Sequence, residues 1–116
     1  MSDNTLEIRR RETILDQAIT VGVTSTIVNL NAIEGYAIQA TWSGGASFTG
    51  TLSLESSLDS VNFVEVPNSS QAITGATGTH LWNAVDQHYE FVRAKLVVTT
   101  GTATNMKMMY IGKSRE

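Results

Sequence analysis

The sequence predicts an all-β domain, a jelly-roll or Greek-key β-sandwich of about eight antiparallel strands, with a short N-terminal arm or helix ahead of it. Three observations carry the prediction. From residue 18 onward apolar residues recur with a period of two, as in a strand whose side chains alternate between core and solvent. Turn-forming stretches such as SGGASFTG and GTAT divide these segments at short intervals. The composition is 41% hydrophobic and only 16% charged, so hydroxyl residues supply much of the polar surface, and Thr and Val suit a pleated, half-buried sheet.

Residues 1–17 stand apart, being charge-dense and free of glycine. TLEIRRRETILDQ offers a poor helical stripe, so this segment is expected either as an extended arm or as a short helix that needs docking to persist. The domain proper is expected over 18–116. ITVGV and TIVNLN read as two strands meeting near Ser25, and GYAIQATW sets Tyr36, Ile38, Ala40 and Trp42 on one face. TLSLES points Leu52 and Leu54 inward and Ser53 and Glu55 outward. VNFVEV follows as a strand that Pro67 ends, because proline has no amide to donate. SQAIT is a short strand, GATG a turn, and THLWNAV a strand holding His80 and Trp82. YEFVRAKLVVTT places Val92, Ala94, Leu96 and Val98 together, and NMKMMYIG does the same for Met106, Met108 and Tyr110.

A chain of 116 residues accommodates one domain with a modest core. The absence of cysteine removes thiolate nucleophiles, disulfide frameworks and cysteine zinc sites. Charge falls where a signal peptide would need its apolar stretch, so export is expected only by lysis or within a larger particle, and no segment is apolar enough for a membrane span. A net charge of −3 argues against a nucleic-acid partner, since Arg9, Arg10 and Arg11 form the one basic cluster and Glu7, Glu12 and Asp16 offset it.

No constellation signals catalysis, a cofactor or a metal. Asp59 and Asn62 in SSLDSVN are turn residues whose short side chains accept backbone hydrogen bonds, and the alternating carboxylates of a calcium loop are missing. His80 and His88 are too few for zinc. Asp86 and His88 lack a nucleophile signature to complete a hydrolytic triad, and Asp86 reads as a loop cap. Trp82, Tyr89 and Tyr110 are candidate sugar-stacking rings, whereas Trp42 continues the apolar face of its strand. Leu6, Ile8, Arg9, Arg10, Arg11 and Ile14 form a candidate interaction arm that joins charge to apolar contact.

From GYAIQATW through LSLESSLDSVNF, LWN and YEFVRAKL to MYIG, roughly residues 35–112, the chain resembles small virion proteins of tailed bacteriophages. The resemblance makes Trp42, Leu52, Leu54, Phe63, Trp82 and Val92 framework positions. It departs from that pattern where SSLDSVN and Phe63 replace an Asn-Asp-Gly turn followed by Trp. It implies a non-enzymatic structural protein of the virion, a decoration or cement protein bridging major capsid subunits; open strand edges and the symmetry of a capsid add the expectation of a dimer or trimer with itself. Tail or fibre attachment is the alternative role that similar folds serve, and a host-surface or glycan-binding module on the tail or capsid is the alternative that the aromatic rings raise.

Overall fold

The computed structural model describes residues 7–31, 33–44, 47–75, 77–84 and 88–115. Ten strands follow one another in these residues: β1 (Glu7–Ile19), β2 (Val23–Thr24), β3 (Val28–Asn29), β4 (Ile33–Ser43), β5 (Thr49–Ser57), β6 (Val64–Glu65), β7 (Gln71–Thr74), β8 (Thr77–Ala84), β9 (Phe91–Thr100) and β10 (Ala103–Arg115). One sheet has the order β1-β10-β4-β8, and the other centres on β9 and β5, with β2 and β3 along β9 and β6 and β7 along β5. Every pairing is antiparallel. With β2/β3 and β6/β7 each counted as one interrupted strand, two four-position sheets remain, and the chain crosses repeatedly between them. That is the jelly-roll arrangement of two interlocked Greek keys.

The long alternations fold as their period dictates. Tyr36, Ile38, Ala40 and Trp42 of β4 are buried, as are Val92, Ala94 and Leu96 of β9 and Met106, Met108 and Tyr110 of β10. They interleave with Leu52 and Leu54 of β5 to fill the space between the sheets. Gly78 lies opposite Trp42 in the β4–β8 ladder, and the indole occupies the place a side chain there would need. Gly101 makes the β9–β10 turn at φ 74°, the left-handed region that glycine enters without steric cost.

Three features depart from the alternation. Residues 1–17 were expected to form an arm or a helix, yet Glu7–Ile19 runs as a strand along β10. Its register shifts between Thr13 and Leu15, where the extra residue, Ile14, is on β1, and again between Gln17 and Ile19, where the extra residue is on β10. A bulge places an additional residue on one side of the strand, and here Ile14, Leu15 and Ile19 all reach the core. Those spacings disguise the strand in the sequence.

The second departure is at the edges of the β9–β5 sheet. ITVGV and TIVNLN yield only β2 and β3, and Ser25 fills the gap between them: its amide donates to Ala94 O at 2.8 Å and its hydroxyl accepts from Ala94 N at 2.9 Å. Likewise VNFVEV yields only β6, and Ser69 fills the gap before β7. Its hydroxyl accepts from Leu54 N at 3.0 Å and donates to Val66 O at 2.7 Å. A serine hydroxyl thus replaces a backbone group in each ladder, leaving no buried amide unpaired there. Third, Ser53 is buried rather than outward, and Glu55 is largely covered, with Arg93 and Lys95 of β9 against its carboxylate.

Candidate interaction loop

The turn between β5 and β6 is built on Ser57 and Asp59. The Ser57 hydroxyl accepts from the amides of Asp59 (3.0 Å) and Ser60 (2.9 Å) and donates to Asp59 Oδ1 at 2.8 Å. Asp59 Oδ1 also accepts from the amides of Val61 (2.9 Å) and Asn62 (2.8 Å), while Oδ2 accepts from Asn62 Nδ2 at 2.7 Å. This closed set lets Ser60 hold a left-handed φ of 64°. Donation from Asn62 and Val61 amides, with the Asn62 and Ser57 side chains, holds the Asp59 carboxyl well below its ordinary value. Both carboxylate oxygens are thus engaged by the turn itself. Among the described residues no three His, Cys, Asp or Glu converge to hold a metal.

A second set of contacts presses the end of the turn onto the sheet. The Arg93 guanidinium lies 4.0 Å from the Phe63 ring centroid, and its Nε meets Glu55 Oε1 at 2.9 Å. Lys95 Nζ approaches Glu55 Oε2 at 3.7 Å. A guanidinium sandwiched between a ring and a carboxylate gains from both, and partial burial of Glu55 reduces the screening of the pair.

What this doubly fastened loop presents is apolar. Leu58, Val61 and Val64 are 70%, 77% and 70% exposed. Leu58, Val64 and Tyr89 border an open depression of about 350 Å³ floored by Ser56 and Ser57. Single exposed aliphatics are unremarkable, but three within seven residues, two on a turn held by its own hydrogen bonds and one on the first residue of β6, make a preformed contact surface. VNFVEV reads in the sequence as one strand, which holds for Val64 in β6 but hides Val61 on the turn. The signal available was Leu58 standing alone inside the polar run SSLDS.

The other candidate residues are dispersed. Trp82 is 7% exposed, with its indole N–H donating to Ser69 O at 2.8 Å, and Tyr110 is 2% exposed beside Tyr36. Neither ring has a face free for a sugar, which corrects the stacking expectation for both; Tyr89 is half-buried. Ile14 is a core residue and is not available to a partner. Arg11 is exposed beside Ala37, Gln39 and Leu81 on the outer face of the β1-β10-β4-β8 sheet. The backbones of Ile8, Arg9 and Arg10 pair with Ser114, Lys113 and Gly112. Leu6 and Asp86 lie outside the described residues. His80 packs edge-on against Trp82 at 4.8 Å, and burial lowers its pKa; His88 is exposed. No helix among the described residues is long and apolar enough to cross a membrane.

No protein-family model matches the chain, and no curated protein does. Among solved structures, the crystal structure of the SPBc2 prophage-derived protein YomS is similar over 98% of this chain and all of that one, with TM-score 0.67 and 11% identity. A chain from the Bacillus endospore appendages, described as disulfide-linked pili, is similar over 98% of this chain and 93% of that one, with TM-score 0.60 and 13% identity. The present chain has no cysteine. At these identities the likeness is one of fold: an all-β sandwich shared with a prophage-derived protein and an appendage protein.

Proposed function

We propose that the protein is a non-enzymatic structural component of a phage particle, a decoration or stabilising protein that seats on the major capsid protein through the loop of Leu58, Val61 and Val64. The fastened apolar loop carries this reading. Ordering costs are met within the protein by the Ser57–Asp59–Asn62 bonds and the Phe63–Arg93–Glu55 stack, so little conformational entropy is lost when the tip is covered. Three aliphatic side chains give a modest contact, which suits a particle surface that repeats the same site many times. Fold likeness to a prophage-derived protein is in keeping with a virion setting, as is the resemblance of the strand and turn pattern of residues 35–112 to small virion proteins.

Two measurements test the proposal. Quantitative mass spectrometry of purified virions should count tens to hundreds of copies; a handful of copies would move the protein to the tail or a fibre, and absence would remove the virion role. Particles lacking the native protein should then bind the wild-type chain but not the Leu58→Asp, Val61→Asp, Val64→Asp variant, whose substitutions fall at exposed positions. Equal occupancy by that variant would overturn the loop as the seat.

A further inference from the structure

Four edges bound the two sheets, and they are not alike. β1 is bulged at Ile14, its ladder with β10 shifts register a second time, and it carries Glu7, Arg9, Arg10, Arg11, Glu12 and Asp16. The edges of the β9–β5 sheet are each broken at a serine, and none of their pieces exceeds four residues. Bulges, charges and short strands are the means by which a sheet edge is kept from pairing with another chain. β8 has none of them. It pairs with β4 residue for residue from Tyr36↔Ala84 to Ser43↔Thr77 without a register shift, and it contains no proline, Asp, Glu, Lys or Arg. At its centre Leu81 is 60% exposed.

We infer that β8 is a self-association edge, where two copies of this chain pair antiparallel about a two-fold axis through Leu81 and join their β1-β10-β4-β8 sheets into one. The choice of a second copy as the occupant comes from the sequence of the strand. A two-fold contact sets residue i against residue j wherever the two numbers have the same sum, so an axis at Leu81 pairs Gly78 with Ala84, Thr79 with Asn83 and His80 with Trp82. The strand GTHLWNA reads the same in chemical class from either end: small, polar, aromatic, Leu, aromatic, polar, small.

Each pairing is favourable in kind. On the outer face two Thr–Asn pairs flank a Leu81–Leu81 contact. On the inner face two imidazole–indole pairs repeat the edge-on contact that His80 and Trp82 make within one chain. No ionised side chain of the strand meets its own copy. An unrelated partner strand would have no reason to match this symmetry.

The absence of cysteine permits a direct test on the full-length chain. Light scattering across a concentration series should show a dimer, and Leu81→Lys, which places two ammonium groups together on the axis, should weaken it by roughly tenfold or more. Under mild oxidation Leu81→Cys should form a covalent dimer rapidly. Thr79→Cys alone should not, and the double variant Thr79→Cys, Asn83→Cys should recover it. A strict monomer at about 1 mM, or cross-linking at Thr79 as fast as at Leu81, would overturn the inference.

Discussion

Replacing Ile14 and Leu15 by alanine tests whether the N-terminal segment is an appendage or part of the fold. Both are buried, at 3% and 8% exposure, at the bulge where β1 turns consecutive side chains into the core. A buried Leu or Ile cut to Ala costs about 2–5 kcal/mol, and two neighbours sharing one cavity fall short of additivity, so about 4–8 kcal/mol is expected for the pair. A domain of this kind holds about 5–15 kcal/mol in all. The double variant should therefore unfold at least about 15 °C below the wild type. Deleting residues 1–15 also removes eight of the eleven β1–β10 residue pairs and should leave no cooperative transition. Arg11→Ala, on the same strand but exposed, should change stability by less than about 0.5 kcal/mol. Calorimetry and urea titration followed by circular dichroism give all of these. A double variant or truncated chain melting within a few degrees of wild type would refute the placement of β1 in the core. The result also decides how attachment can be studied, since loss of binding by a truncated chain would report unfolding rather than a lost arm.

Asp59→Ala should release the loop without unfolding the sandwich: hydrogen exchange at the Val61 and Asn62 amides should accelerate tenfold or more, while the melting temperature moves little. Acid should reproduce this in the wild type. The folded chain favours the Asp59 carboxylate, so its contribution is present above the ordinary value of 3.8 and is lost as pH falls through the lower folded value; amides still protected at the acid limit would contradict it. At alkaline pH Tyr36 acts in the opposite direction. Burial, then the neighbouring Tyr89 and Tyr110, push its pKa from 10.0 up to about 12. The folded state therefore keeps a proton that the unfolded chain gives up. Stability is unaffected below pH 10 and should fall by about 2–3 kcal/mol between pH 10 and 12, a loss that Tyr36→Phe should remove from the titration.

β4, β9 and β10 from Met106 onward were legible because each keeps an unbroken period of two through its buried residues. β1 was not, because the bulge at Ile14 puts consecutive residues, Ile14 and Leu15, on the core side, and the next core residue, Ile19, comes four further on. The edge strands were over-read for a related reason: Ser25 and Ser69 do the work of backbone groups, and alternation cannot indicate where a ladder passes from main chain to side chain. At the candidate site, Asp59 and Asn62 were recognisable as turn formers from their chemistry. The stack of Phe63, Arg93 and Glu55 was invisible, since Arg93 and Glu55 lie 38 residues apart and meet only through the β5–β9 register. Trp82 looked available because its same-face neighbours, His80 and Ala84, are not obvious core residues; the acceptor that makes its burial tolerable is a main-chain carbonyl in another loop.

The proposed loop seat and the proposed β8 edge can fail independently, and together they would account for how a small sandwich holds a particle surface. β7 passes to β8 through the turn at Gly75, and the Trp82–Ser69 bond ties β8 to the break between β6 and β7, so the self-association edge and the strand after the loop share one side of the sandwich. A loop of three aliphatic side chains binds weakly alone. A dimer carries two, and where both reach sites on the same array the second engages at an effective concentration in the millimolar range, a gain of about 10²–10⁴ in avidity without a new contact. On this account Leu81→Lys weakens attachment while leaving every loop atom in place, and the loop variant abolishes attachment while leaving the dimer intact. Neither result follows from a single extended interface, in which damage at one end would carry both properties with it.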